Sequence, residues 1–458
     1  MTAPRAVMDR WSSRKLGLFL LLYGATLLAL LPRLSLWLDE IVDMMGSRSS
    51  FIEAIRWAKG NPGGVPLGYV VHWASIQIFG ITAFAARFPS AVASLAGCVG
   101  IYLLGRSWRL KYPLLPCLVF AILPLQLRYA LEARSYAIAL SFSIWTLVVF
   151  QSLIARPRTW KFVVYGILAI CGMYTQPYSV FILGAQAVWA LFSPQVEKRR
   201  FLPGLFSTLG IIVVAFAGWY VYAAGWSHPL TGVEGSEAIG WSSVGLIAHE
   251  LTGMGYLGTL LMLVVIAGGI RYSRPDSLLL WLLYLAASVV GALAVDWAAG
   301  YFLAIRQMIF AVTPLVILFC WGLESLTSAH RNLGAAVLVV FLAGALYADV
   351  QMFSRPRENW QAAANQLQSE VSLGACIVFE PADFEAYYTF FRPELSSAKC
   401  PAENLRQYRR VAIAVSPRHY STALGHREIE LTNIGMTRQR GLSSVLPDVE
   451  VFIQTPLY

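Results

Sequence analysis

Asp39 and Glu40 follow closely on an apolar run, Leu16 to Pro32, in the stretch Leu36-Trp37-Leu38-Asp39-Glu40. Charge at the edge of a membrane is costly unless it is paired or used. A carboxylate partly desolvated there can take the proton of an attacking hydroxyl, so the pair suits general-base chemistry. Asp43, four residues after Asp39, could share its face, raising the pKa of Asp39 or joining it on a divalent cation. The plainer reading is an interfacial loop whose acids pair with Arg33, Arg48 or Arg56. Arg87, Arg134 and Arg306 offer the complementary chemistry, because an anionic leaving group needs cations and guanidinium contacts phosphate in a bidentate way. Each would serve as well against a phospholipid headgroup. His72, set in an apolar stretch, reads first as a packed, hydrogen-bonded side chain rather than a ligand.

The elements that must carry these residues are membrane helices. Of the 458 residues 57% are hydrophobic and 13% charged, with a mean hydropathy of +0.59, too apolar for a soluble enzyme. The expected fold is mainly α and polytopic, with eleven apolar runs near 16–32, 88–105, 114–128, 136–155, 162–174, 177–192, 203–223, 251–270, 278–295, 307–325 and 333–350. The net charge of +10 does not mark a nucleic-acid binder, since the basic residues fall in small clusters between runs instead of one stripe. Those clusters alternate with connections poor in lysine and arginine, which orients the N-terminus, Arg106–Lys111, Arg156–Lys161, Lys198–Arg200 and Arg271–Arg274 toward the cytoplasm. The Asp39-Glu40 loop, the Glu132 turn, residues 224–250, Arg306 and the C-terminal tail then face outward. The run Leu16–Pro32 has no small-residue cleavage site and is expected to stay as an anchor. Cys98, Cys117, Cys171 and Cys320 lie inside apolar runs and read as small core residues.

The first outer connection, 33–87, is long and patterned. Ser50-Phe51-Ile52-Glu53 is a capping box opening a short amphipathic helix, stopped by Asn61-Pro62-Gly63-Gly64. Pro66 to Phe79 reads as a second interfacial helix. At Arg128–Tyr136 a continuous helix would align Arg128, Glu132 and Tyr136, leaving Arg134 elsewhere unless the helix breaks. The 224–250 connection holds Glu234, Glu237, His249 and Glu250 and reads as a glycine- and serine-rich loop. The chain divides into a transmembrane domain, 1–350, and a small extracytoplasmic α/β domain, 351–458. In the latter Glu358–Glu370 and Asp383–Phe391 read as helices, and Cys376–Glu380, Val411–Val415 and Val449–Gln454 as strands. Cys376 and Cys400 either pair, in an oxidising compartment, or stay as thiols. No HExxH, Walker, nucleotide-binding glycine or DxD motif is present, and no inward connection is long enough for a nucleotide-sugar domain. An activated sugar would have to arrive by membrane.

Six segments in order resemble the bacterial GT-C glycosyltransferases related to dolichyl-phosphate-mannose protein mannosyltransferases and the lipid A aminoarabinose transferase. The Asp-Glu pair after the first run is one. Phe84-Ala85-Ala86-Arg87-Phe88-Pro89-Ser90-Ala91 is similar to their "ALRLPSAL", and Tyr129-Ala130-Leu131-Glu132-Ala133-Arg134-Ser135-Tyr136 to their "YSQEARMY". Tyr174-Thr175-Gln176-Pro177-Tyr178 stands where many have "THYF". Arg306, ahead of Thr313-Pro314, stands where they carry an Arg-Tyr before a proline-containing helix, and Glu358-Asn359-Trp360-Gln361-Ala362-Ala363 resembles "DWRGAA".

The resemblance implies an enzyme of the bacterial inner membrane that moves a sugar from a polyprenyl phosphate to a hydroxyl of a glycan, lipid or protein at the outer face, with inversion. It implies Asp39 as base, Glu40 and Glu132 supporting the acceptor or a cation, and Arg134 and Arg306 on the departing phosphate. Arg87 is carried as a further phosphate ligand, and Tyr129, Tyr136, His72, Gln176 and Tyr178 as substrate contacts. One departure matters: Gly64-Val65-Pro66 stands where relatives often have His-Pro-Pro or Lys-Pro-Pro, so Arg87 or His72 would have to compensate. Two other classes fit outward charge in a polytopic chain. One is a lipid or solute transporter, which more often shows an internal repeat. The other is a non-catalytic partner that binds lipid-linked glycans.

Overall fold

The structure, a computed structural model, describes residues 3–61, 64–223, 240–271, 275–299, 304–354, 358–400, 405–415, 429–438 and 448–454. It divides into two units, residues 1–31 with 46–352 and residues 32–45 with 353–458.

The apolar runs fold as helices because a backbone in lipid must satisfy its own hydrogen bonds. In chain order these are α1 (Ala3–Leu30), α2 (Leu38–Ser47), α3 (Phe51–Gly60), α4 (Pro66–Phe79) and α5 (Ala83–Ser107). Then come α6 (Leu115–Ile122), α7 (Pro124–Ala130), α8 (Tyr136–Ala155), α9 (Thr159–Thr175), α10 (Ser179–Phe192) and α11 (Lys198–Tyr222). The rest are α12 (Trp241–Glu250), α13 (Gly255–Ile270), α14 (Pro275–Ala299), a 3₁₀ segment Ile305–Ala311 leading into α15 (Val312–Ala329), and α16 (Arg331–Ser354). Each of the eleven apolar runs falls on helix. Among the described residues six helices are long and apolar enough to cross a membrane, and α12 with α13 makes a seventh if the bent pair counts as one span.

Three interruptions depart from the sequence reading. The run 114–128 is two helices, because Pro124 cannot continue α6 and Leu123 turns extended before it. The 224–250 connection is helical from Trp241, while Glu234 and Glu237 lie outside the described residues. Between α12 and α13 the chain bends by 80°. Gly253 and Gly255 make the bend with φ of +73° and +69°, and a Cβ at Gly253 would come within 2.8 Å of Leu125 N and Pro124 Cβ. Only glycine allows that approach.

The long connection after α1 is ordered helix, as its patterning implied. Ser50 caps α3, its hydroxyl accepting the Glu53 amide at 3.2 Å, and Arg56 pairs with Glu53. Pro62 and Gly63 lie outside the described residues. Beyond them Gly64 O accepts Trp219 Nε1–H at 3.2 Å, and Lys59 stands 4.7 Å over the Tyr222 ring, fastening the segment to the end of α11.

Helix α4 supports a proline inside α5. Pro89 has no N–H, so the Ala85 carbonyl loses its helical donor. Ser75 Oγ supplies one at 2.6 Å, and His72 Nδ1–H donates to the next carbonyl, Ala86 O, at 2.9 Å. All of these groups are buried.

In the second unit, α17 (Trp360–Ser372) packs on a four-stranded sheet in the order β1 (Cys376–Glu380), β2 (Arg410–Val415), β4 (Asp448–Gln454), β3 (Met436–Arg438). Strand β1 is parallel to β2; β4 runs antiparallel to both neighbours. α18 (Glu385–Phe391) presents Tyr388 to the buried Trp360. Cys376 and Cys400 are joined in a disulfide, and the Glu370–Arg410 ion pair ties α17 to β2. β3 is an element the sequence reading did not contain.

Ser75→Ala should destabilise the protein by about 1–3 kcal/mol, the cost of a buried carbonyl left without its donor. In a Pro89→Ala background the restored amide can bond to Ala85 O, so the same change should then cost less than about 0.5 kcal/mol. Thermal unfolding of the four proteins in one detergent measures this coupling; additive losses would show that Ser75 does not serve the proline.

Candidate active site

The acidic pair lies at the start of α2, in the second unit. Ile41 N–H bonds to Trp37 O at 3.0 Å, so the helix begins directly after Trp37 and carries Asp39 and Glu40 in its first turn. There the macrodipole favours their negative charge. Glu40 is buried and turns back to accept the Trp37 amide at 3.2 Å, which makes it a part of the helix start. Asp39 is half-buried. Asp43 is buried one helical turn later and on the same side as Asp39. Among the described residues no group of three or more His, Cys, Asp and Glu side chains is placed to hold a metal ion. Asp39 and Asp43 therefore find no third ligand of those types there.

The first unit brings Glu132, Arg134 and Arg306 to one break. α7 ends at Ala130 and α8 starts at Tyr136, so residues 131–135 form a turn and not the continuous helix that would have aligned Arg128, Glu132 and Tyr136. Glu132 is buried and accepts Arg128 Nε–H at 3.1 Å. The break brings Arg134 over the Tyr136 ring, 5.7 Å from its centroid, while Tyr136 packs on Tyr129 at 5.1 Å. Tyr129 is the common neighbour: Glu132, Arg128, Tyr136 and Arg306 all lie within electrostatic reach of its phenol. Arg306 enters this group from the 3₁₀ segment, which packs against α8. Ser90 fixes the turn from α5, its hydroxyl donating to Arg134 O at 3.0 Å. Two of the motifs quoted for the resemblance are thus in direct contact.

His72 and Arg87 are placed differently. His72 is buried and its Nδ1 proton is committed to Ala86 O. Arg87 is fully buried and donates from Nη1 to Leu31 O at 3.0 Å, meeting a carbonyl at the end of α1. A Cβ at Gly64 would stand 2.1 Å from Ala58 O and 2.9 Å from Asn61 O, so no histidine or lysine fits on this backbone.

At the turn between α9 and α10, Gln176 and Tyr178 are half-buried. Tyr178 donates its phenol to Oδ1 of Asp296 at 2.5 Å. Asp296 is fully buried near the end of α14 and was not singled out in the sequence. The available signal was a lone acid at the end of an apolar run, a position that carries function by default. A second such acid, Asp349, is buried in α16, and Tyr23, Ser94 and Gln126 form a buried hydrogen-bonded cluster between α1, α5 and α7.

A mainly α bundle of apolar helices, with short helices after the first of them and an α/β unit after the last, is the architecture of a polytopic membrane protein. Residues 61–222 match the family described as dolichyl-phosphate-mannose-protein mannosyltransferase. The chain is similar to ArnT from Cupriavidus metallidurans in the apo state, with a TM-score of 0.60 and 12% identity, covering 97% of this chain and 98% of that one. For ArnT bound to undecaprenyl phosphate the TM-score is 0.61 at 12% identity, with 96% and 98% covered. The arabinofuranosyltransferase AftD from Mycobacteria gives 0.54 at 14% identity, over 96% of this chain and 40% of that one. At such identities the likeness is one of fold. A search of curated protein sequences returns no match.

Arg128 is half-exposed and Glu132 is not, so the two halves of their pair should respond unequally. Arg128→Met strips a buried carboxylate of its guanidinium and should cost about 2 kcal/mol, between the values for exposed and buried pairs. Glu132→Gln leaves a cation that water can reach and should cost less. Unfolding midpoints of the purified variants give the order; a larger loss for Glu132→Gln would mean that Arg128 is not what holds the carboxylate.

Proposed function

We propose that the protein is an inverting glycosyltransferase of the bacterial inner membrane that takes its sugar from a polyprenyl phosphate and passes it to a hydroxyl of a glycan, lipid or protein at the outer face. The observation that carries this reading is the gathering of Arg306, Arg128, Glu132 and Tyr136 about Tyr129, with Arg134 over the Tyr136 ring, in a chain with the fold of ArnT. Undecaprenyl phosphate bound to ArnT and dolichol-phosphate in the complex of AglB from Archaeoglobus fulgidus support a lipid phosphate as the carrier. The lysine- and arginine-poor connections support the outward orientation.

In this reading Asp39 takes the proton of the acceptor hydroxyl as its oxygen attacks the anomeric carbon. The bond from that carbon to the phosphate oxygen breaks, and its electron pair leaves with the polyprenyl phosphate. A single displacement inverts the centre. Arg306 and Arg134 meet the charge gained by the phosphate, where a prearranged cation acts most strongly in a water-poor site. Glu132 orients the acceptor and Glu40 holds the helix that carries the base. Tyr129, Tyr136, Gln176 and Tyr178 contact substrate; His72 and Arg87, engaged with Ala86 O and Leu31 O, support the walls. A transporter would need no base, which separates the two classes experimentally.

Mass analysis of envelope glycans and lipids should show a product that is lost on deletion of the gene and regained with the full chain. Asp39→Asn should restore less than about 1% of it, the scale expected for a missing general base. Arg306→Ala should lower transfer by about 100-fold, as for removal of one charge-stabilising group. Full product with Asp39→Asn would remove Asp39 as base, and full product with Arg306→Ala would free Arg306 from the phosphate.

A further inference from the structure

Helix α2 has no capping oxygen on the side chain just before it, although Glu40 closes back on the Trp37 amide. The first amides of a helix have no partner inside it, and Trp37, the residue before the helix, has an indole with no oxygen to accept them. The Leu38 amide is met from 320 residues away, by Oε2 of Glu358 at 3.3 Å. The same oxygen accepts Trp360 Nε1–H at 2.8 Å, and the Glu358 carbonyl accepts Ser35 Oγ–H at 2.6 Å. Glu358 is itself firmly placed. Asn359 caps α17 by accepting the Ala362 amide at 3.1 Å, and Trp360 is buried among Phe384, Tyr387 and Tyr388. All of these residues belong to the second unit. The Glu358 carboxylate thus stands at the N-terminus of α2 and one residue before the cap of α17, where negative charge suits both helix dipoles.

We infer that Glu358 is a positioning residue for sugar transfer: by holding the first turn of α2 it fixes where Asp39, one residue after Leu38, presents its carboxylate. The inference rests on the reading of Asp39 as the base. A general base must lie within hydrogen-bond reach of the proton it takes, and a misplacement of about 1 Å costs about 100-fold. A first turn that opens keeps the carboxylate but loses its place. The α/β unit after the last membrane helix then contributes to the chemistry through one carboxylate.

The test compares Glu358→Ala, Glu358→Gln, Lys399→Ala and Asp39→Asn in the full chain. Each is measured for product restored to the deletion strain, for binding of undecaprenyl phosphate by the purified protein, and for amide exchange over residues 36–45. Glu358→Ala should lower product about tenfold and speed exchange, with undecaprenyl phosphate affinity within about twofold of the parent. The amide oxygen of Glu358→Gln still accepts both N–H groups and should keep product within about threefold. Lys399→Ala, which removes the exposed 2.7 Å pair with Glu385 in the same unit, should change none of the three readouts. Product within about twofold of the parent in Glu358→Ala, with Asp39→Asn inactive, overturns the positioning role and leaves the base standing. So does loss of undecaprenyl phosphate binding together with product, or Glu358→Gln as inactive as Glu358→Ala with exchange unchanged. Full product in Asp39→Asn overturns the base and this inference with it.

Discussion

Lipid offers a broken helix no water, so wherever this chain interrupts a helix another part of it must supply the missing donor or acceptor. Ser75 does this for the carbonyl that Pro89 leaves open, and Arg87 does it for the end of α1. Gln307 does it ahead of the 3₁₀ segment, its side chain accepting the Ala304 amide at 3.0 Å. Several polar candidates also sit at interruptions: Glu132 and Arg134 between α7 and α8, Tyr178 between α9 and α10, Arg306 where the 3₁₀ segment opens. A break exposes backbone and frees side chains from helical register. The demand for compensating contacts then holds those side chains in one arrangement, which is what a catalytic site requires of its scaffold.

Much of the fold was legible because its signals are local. The apolar runs fix the helices, Ser50 and Glu53 announce α3, and the two strands Cys376–Glu380 and Arg410–Val415 stand where short apolar runs were read. What escaped depends on partners far away in sequence. Hydropathy runs straight through Pro124, so the split into α6 and α7 shows only in the extended backbone of Leu123. β3 is three residues long and exists because β4 pairs with it. Asp296 is one acid beside an apolar run; its meaning comes from Tyr178, 118 residues earlier.

The candidate site divides the same way. Residue types and order identified Glu132, Arg134 and Arg306, since carboxylates and guanidinium groups next to membrane runs are costly enough to draw notice. Their placement about Tyr129 and Tyr136 could not be read, because it depends on a non-helical turn bonded to Ser90 and on the 3₁₀ segment packed against α8. His72 and Arg87 show the reverse case. Both are buried and each bonds a backbone carbonyl of another segment, contacts that composition does not reveal. Likewise residues 32–45 group with the tail, although more than three hundred residues separate them in the chain.

The tight packing at Gly64 also limits how this protein can change. Two carbonyl oxygens, from Ala58 and Asn61, close over the place where a side chain would begin, so a single codon change to lysine or histidine would distort the end of α3 before it reached any phosphate. A lineage or an engineer seeking the basic residue at that point would have to replace the segment from Ala58 to Pro66 as a block. The shape of that segment is therefore inherited as a unit.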